Sequence, residues 1–365
     1  MSDPERDPPR FAVFVSPHGF GHAARSSAVM AEAHRRSGAR FEVFTTTPRW
    51  FFEESIAGTF EYHALACDVG FRQRSALVAD LEATVQALKA YVPFDAGLVS
   101  RLAGELRSSG CCAVLCDISA LGIAVAEAAG LPSVLIENFS WPWLYEPFMD
   151  HVAGLAEISV EIARWDARAT VHLQARPVCE RRHGCELVDP ISREATLDRA
   201  AARAALGLET DGPVVVITMG GYGEEYPFLD RLREIEDTTF VISGVPESGH
   251  GGNLRLFDND TPLYMPDVLR AADAVVAKLG YGTVAEVWRE GLPFAYVTRS
   301  NSREMPPLED FAEIELSGFP IQADDFPAGA WIGRLPELLS TPRRARAGGG
   351  AARVSEVLLK LAKTA

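Results

Sequence analysis

Two doubly wound α/β domains facing across a cleft are the architecture this sequence predicts, and three observations carry that reading. Strand-like apolar runs alternate with helix-like stretches in both halves of the chain. Two glycine-bearing segments, Ser16-Pro17-His18-Gly19-Phe20-Gly21-His22 and Lys278-Leu279-Gly280-Tyr281-Gly282-Thr283, each join such a run to a helix. At 365 residues, the chain also exceeds what one hydrophobic core comfortably supports. A strand-to-helix loop of this kind aims backbone N–H groups and a helix N-terminus at whatever lies above the sheet edge. Two of them, on separate halves, suggest a ligand held between domains.

The elements follow in order. Residues 1–10 are charged and proline-rich, with no apolar leader core, and read as a flexible tail. Phe11 to Val15 is an unbroken apolar run suited to a buried parallel strand, and Ala23 to Arg36 a helix. Strands are then expected at Phe41 to Thr46 and Phe60 to Leu65, and a long helical region at residues 75–108. Strand Ala113 to Cys116, helix Ala120 to Ala129 and strand Ser133 to Glu137 come next; Gly130 and Pro132 supply the helix stop. Trp141 to Arg168 is aromatic and irregular, a helical packing layer. Val171 to Leu173 reads as a last short strand, and residues 177–190 as the connection.

The first domain is thus read as residues 11–185 and the second as 186–345. In the second, strands are expected at Val214 to Thr218, Thr239 to Ser243, Pro262 to Tyr264, Ala274 to Ala277 and Phe294 to Thr298, with helices at Tyr226 to Ile235 and Val284 to Glu290. Residues 346–365 read as a terminal helix packing back on the first domain.

Composition narrows the function. Hydrophobic residues make up 47% and charged residues 23%, and no apolar stretch is long enough to cross a bilayer. A formal charge of −15 argues against nucleic acid or an anionic membrane as main partner, and a cytoplasmic location is expected. Cys111, Cys112 and Cys116 flank or lie in a strand-like run and read as small buried thiols. Cys179, His183 and Cys185 lack a second ligand pair of recognisable spacing, so no structural metal is expected.

Within the two loops, His22 is the candidate base. It follows Gly21 at a helix start, where the positive helix end favours a neutral imidazole able to take a proton. A histidine that only hydrogen-bonds the loop backbone is the competing reading. Asp117, just after a strand, either orients His22 or caps the next helix. Glu286, one turn beyond the second loop, is a double acceptor suited to a vicinal diol. Gly19, Gly21, Gly280, Gly282 and Thr283 form the two anion-ready loops, and Gly220 and Gly221 another phosphate-side loop. Lys278 either supports phosphate charge or is solvated at a strand end; Gly244 is placed near a nucleobase. Arg25 either contacts phosphate or holds its loop, and His18, Asn138 and Trp141 are the acceptor-side candidates.

The segments His18 to Arg25, Asn138-Phe139-Ser140-Trp141 and Lys278 to Thr283 resemble GT-B-fold enzymes that handle nucleotide-sugars. They are similar above all to the glycosyltransferase-like region of plant L-arabinokinases, with its GHGFGHATR-like, NFSW and KIGYGT-like segments. No glycine/serine-rich kinase phosphate loop accompanies them, so sugar kinase activity is not implied. A more distant resemblance extends to the N-acetylglucosaminyltransferase of peptidoglycan synthesis and the UDP-sugar hydrolase of pseudaminic acid synthesis.

These resemblances imply a metal-independent glycosyltransferase moving a hexosyl or pentosyl group from a nucleotide-diphosphate sugar to a small-molecule or glycan hydroxyl. Glu286 would take the ribose hydroxyls and Glu304 would contact the donor sugar. In the pseudaminic pathway hydrolase the histidine matching His22 activates water. The Gln-rich segment of the peptidoglycan enzyme is missing, which argues against an N-acetylglucosamine donor. A nucleotide-sugar hydrolase, a 2-epimerase and a catalytically silent nucleotide-sugar-binding module remain alternatives.

Overall fold

A computed structural model describes residues 7–75, 78–208, 212–220, 225–261, 263–299, 302–344, 346 and 348–363. The chain divides into two compact α/β units, Met1–Ile191 with Gly349–Ala365, and Ser192–Gly348.

In the first unit seven strands form one parallel sheet in the order Phe60–Ala64, Arg40–Thr45, Arg10–Val15, Cys111–Asp117, Ser133–Glu137, Val171–Ala175, Glu186–Val188. Parallel neighbours need crossover helices, and these cover both faces, which is why the central strands are apolar throughout. Phe11, Val13 and Val15 pack toward Val29 and Met30 of helix Phe20–Ser37, whereas Ala12 and Phe14 face Leu106 and Leu121 on the other side. Strand Glu186–Val188 completes this sheet, so the first unit runs to Ile191, where composition put its end at 185.

Helix Gly350–Leu361 belongs to the first unit; Val354, Val357 and Leu358 join Val29 and Met30 in its core. Its first residue must be glycine, because a Cβ there would lie 2.2 Å from the carbonyl oxygen of Asp189. The Gly350 N–H also donates to the Pro190 carbonyl at 3.2 Å.

The second unit has its own seven-stranded sheet, ordered Gly249–Gly251, Leu254–Asp258, Thr239–Val245, Val214–Thr218, Ala274–Lys278, Pro293–Thr298, Ser317–Gln322. All pairs are parallel except the antiparallel edge strand Gly249–Gly251.

Several expectations are corrected. Residues 75–108 are not one helical region: a small hairpin pairs Gln73–Ser75 with Val78–Ala79, and helices Leu81–Tyr91 and Ala96–Ser108 follow. Pro93 lies between those helices, and Asp80 and Asp95 cap their N-termini by accepting from Ala83 and Leu98 N–H groups. The helix expected at Tyr226 to Ile235 shortens to Leu229–Arg233. Of the strand expected at Pro262 to Tyr264, Pro262 lies outside the described residues, and Tyr264 immediately precedes helix Met265–Ala271.

In each sheet the chain builds outward from a central strand and then returns to build the other side. The reversal falls between Arg10–Val15 and Cys111–Asp117 in the first unit, and between Val214–Thr218 and Ala274–Lys278 in the second. Loops leaving the C-terminal ends of such strand pairs diverge and leave a crevice, the usual ligand position in open α/β sheets.

Candidate functional site

The loop after strand Arg10–Val15 turns through Gly19, whose φ of +83° is open to glycine at little cost, and helix Phe20–Ser37 begins at once. No side chain caps that helix start, so its first N–H groups have no side-chain partner there. His22 sits in the first turn with Gly21, and Asp117 is the last residue of the neighbouring strand. This register brings His22 Nδ1 to 2.8 Å from Asp117 Oδ1, inside the protein. Two acceptors would repel at that distance, so Nδ1 carries a proton and donates it to the carboxylate; in the neutral ring Nε2 then holds the lone pair. Among the described residues Nε2 has no hydrogen-bond partner.

Asp117 is fully buried, with 0% exposure. Arg25 approaches both its oxygens, donating from Nε to Oδ2 at 2.9 Å and from an NH2 nitrogen to Oδ1, and Ser26 donates to Oδ2 at 3.0 Å. Burial pushes the Asp117 carboxyl up, but the Arg25 guanidinium and the hydrogen bonds from Arg25 and His22 outweigh it and hold the group below the ordinary carboxylate range. The next helix, Ala120–Ala129, is capped by Ser119, leaving Asp117 to His22 and Arg25. Ile118 between them has φ of +44°, a strained value for a β-branched residue, at the bend after the carboxylate.

Arg25 and Asn138 brace this pair. The second terminal nitrogen of Arg25 donates to Asn138 Oδ1, and Asn138 Nδ2 donates to the carbonyls of Ala175 at 2.6 Å and Pro177 at 3.0 Å. Both side chains are buried and turned to protein partners. Trp141 is buried as well; its Nε1 donates to Asp68 Oδ2 at 2.5 Å, and Ser16 donates to the same oxygen at 2.7 Å. His18 meets the Trp141 ring edge-to-face at 5.2 Å. Burial, and then the neighbouring His22, lower the pKa of His18 to about 4. Asp68 went unread in the sequence, for it stands in no strand or helix and its partners lie 52 and 73 residues away.

In the second unit, Gly280 precedes helix Tyr281–Glu290 with extended φ and no side-chain cap, so this helix start is also open. Gly282 and Thr283 lie in its first turn. Gly220, with φ of +82°, follows the neighbouring central strand. A Cβ there would lie 3.8 Å from Lys278 Nζ, so the two loops and that ammonium come together. Gly221 lies outside the described residues. Gly244 is not a loop glycine: it forms a bulge within strand Thr239–Val245, with φ of +81°. Glu304 precedes helix Met305–Glu315, and Ser302 Oγ lies 3.5 Å from its Oε2.

Glu286 is buried one turn into the helix. Arg193 donates to its Oε1 from Nε and lies at the same 3.2 Å through NH2, while the second oxygen accepts no hydrogen bond among the described residues. Burial raises the Glu286 carboxyl and Arg193 opposes that rise. Arg193 also lies over the Tyr264 ring at 5.0 Å. The sequence held no signal for Arg193, which stands in a connection 93 residues from its partner.

Among the described residues no group of three or more His, Cys, Asp or Glu is placed to hold a metal ion, and no helix is long and apolar enough to cross a membrane. Cys67, Cys111, Cys112, Cys116 and Cys185 are free thiols.

No protein-family profile matches the chain. Over 341 residues it is 28% identical to the L-arabinokinase of Arabidopsis thaliana, a match covering 90% of this chain but 32% of that protein. It is also 28% identical over 301 residues to the UDP-N-acetylglucosamine–N-acetylmuramyl-(pentapeptide) pyrophosphoryl-undecaprenol N-acetylglucosamine transferase of Acidothermus cellulolyticus, covering 76% of this chain and 75% of that one. The chain thus spans about a third of the plant relative. Among solved structures it superimposes on a UDP-glucosyltransferase from Polygonum tinctorium with a TM-score of 0.63, at 14% identity and with 98% and 99% of the two chains covered. The fold is that of GT-B glycosyltransferases, and the chain is distantly related to them.

Proposed function

We propose that the protein transfers a glycosyl group from a nucleotide-diphosphate sugar to a hydroxyl acceptor, without a metal, with His22 as the base. The observation that carries this reading is the 2.8 Å contact of His22 Nδ1 with buried Asp117, which leaves Nε2 as proton acceptor. The acceptor O–H gives its proton to Nε2 as its oxygen bonds to the anomeric carbon. The bond from that carbon to the diphosphate oxygen breaks, and its electron pair leaves with the diphosphate. His22 is then an imidazolium beside the Asp117 carboxylate, so the charge it acquires is already paired.

The donor is assigned to the second unit. The open helix start at Gly280, the Gly220 turn and Lys278 suit a diphosphate, and the unoccupied oxygen of Glu286 suits a ribose hydroxyl. The names of relatives that use UDP-sugars make a UDP-sugar the first donor to try.

The test is His22→Ala, measured in parallel for donor affinity and for release of nucleotide diphosphate in the presence of acceptor. Donor affinity is expected to persist while turnover falls about 10²–10⁴-fold, the contribution of a positioned proton acceptor. Turnover equal to that of the wild type would remove His22 from the chemistry.

A further inference from the structure

Next to the proposed base lies a second imidazole with no assigned task. His18 and His22 stand on either side of the Gly19 turn, and the His18 ring has no hydrogen bond to protein among the described residues. That ring is nevertheless held in place. It packs edge-to-face on Trp141, and Gly70 leaves room for it: a Cβ on Gly70 would lie 2.6 Å from His18 Nδ1 and 3.0 Å from Trp141.

Trp141 is itself anchored through Nε1 to Asp68, which also accepts from Ser16 and from the Val69 N–H. Phe139 links the two imidazoles, meeting His22 at 5.9 Å and Trp141 at 5.4 Å. The His18 ring is partly exposed, so its nitrogens, without a hydrogen bond to protein among the described residues, are open to a partner from outside the chain.

We infer that His18 binds the acceptor, and that the acceptor is an uncharged polyol or sugar carrying a second hydroxyl beside the one that reacts. This rests on His22 being the base of a glycosyl transfer. Burial and the neighbouring His22 keep His18 neutral, and a neutral imidazole has one N–H donor and one lone pair. A hydroxyl both gives and takes a hydrogen bond and matches that pair. A phosphate or carboxylate, which only accepts, would engage the N–H and leave the ring lone pair unmatched. Asp68 close by adds to the bias against an anionic acceptor.

The test uses the full chain and His18→Phe, which keeps the aromatic packing on Trp141 and removes the ring nitrogens. Galactose and xylose are compared with 4-nitrophenol, which has a single hydroxyl, as acceptors with UDP-glucose as donor. The substitution is expected to lower the ratio of sugar to phenol kcat/KM by about tenfold, chiefly through sugar KM, as loss of one hydrogen bond predicts. An unchanged ratio overturns the inference.

A second measurement needs no turnover. In protein labelled with 15N-histidine and saturated with UDP, galactose or xylose is expected to move the His18 ring resonances, assigned by their absence in His18→Phe. If neither sugar moves them, the inference is overturned. Failure of the underlying reading looks different: the wild type binds no UDP-sugar, or His22→Ala keeps full turnover.

Discussion

Arg193 holds Glu286 inside the second unit, with Nε and one terminal nitrogen each 3.2 Å from a single carboxylate oxygen. The contact divides the carboxylate: one oxygen is tied to Arg193, and the other accepts no hydrogen bond among the described residues. Glu286→Gln should therefore weaken UDP-sugar binding by about 1–3 kcal/mol, the cost of an impaired buried polar contact. Arg193→Ala should instead lower stability by about 3–5 kcal/mol, because it strands a buried charge. Calorimetry with UDP-sugar and denaturant unfolding measure the two effects, and unchanged UDP-sugar affinity in Glu286→Gln would contradict a ligand role for the second oxygen.

Asp117→Asn keeps the size of the side chain but takes away the charge that fixes the His22 tautomer and pairs with Arg25. Turnover is expected to fall about 10²–10⁴-fold. Acceptor-dependent release of nucleotide diphosphate measures this, and a loss under tenfold would show that Asp117 does not set the state of His22.

Asp166 offers a pH test away from the candidate base. Its side chain is buried in helix Leu155–Asp166, where burial and then the charge of Glu137 raise its pKa from 3.8 to about 8. A folded-state pKa above the unfolded one means the native state holds the proton more tightly. The stabilisation is complete below pH 3.8 and is lost as pH rises through about 8. Asp166→Asn should remove this decline and be the more stable form at pH 7, by on the order of a few kcal/mol. Parallel slopes of unfolding free energy between pH 4 and 8 for the two proteins would refute it.

Treatment with EDTA should leave glycosyl transfer unchanged, since Lys278 and the open helix start at Gly280 are proposed to carry the diphosphate charge. Loss of turnover that magnesium restores would show that a cation shares this task.

The parts of the fold legible in the sequence were those with a strong local pattern. Phe11 to Val15 and Val214 to Thr218 are uninterrupted apolar runs because helices cover both faces of their sheets. Strand Ser317–Gln322 escaped notice: it alternates exposed and buried positions and carries Gly318 and Pro320, so it lacks that signature. The edge strands Gly249–Gly251 and Glu186–Val188 are too short for any periodicity.

For the candidate site, the contact of Asp117 with His22 was one of two readings open in the sequence, and the remaining partners were not readable. Asp117 ends one central strand and His22 opens the helix that follows its neighbour, where parallel sheets place functional groups. That Arg25 and Asn138 turn inward to brace Asp117, and that Asp68 and Arg193 exist as partners at all, depends on contacts between residues far apart in the chain.

The return of helix Gly350–Leu361 to the first unit has a consequence for biosynthesis. On the ribosome, residues 192–348 emerge as an unbroken stretch and can fold as soon as they clear the exit tunnel. The first unit starts earlier and finishes later. Until Val354 and Leu358 arrive, the part of the first unit's core that they complete, including the side of helix Phe20–Ser37 against which their helix packs, lacks its cover. The nascent amino-terminal half therefore passes through a stage with bare apolar surface, the state that chaperones recognise and that aggregation exploits.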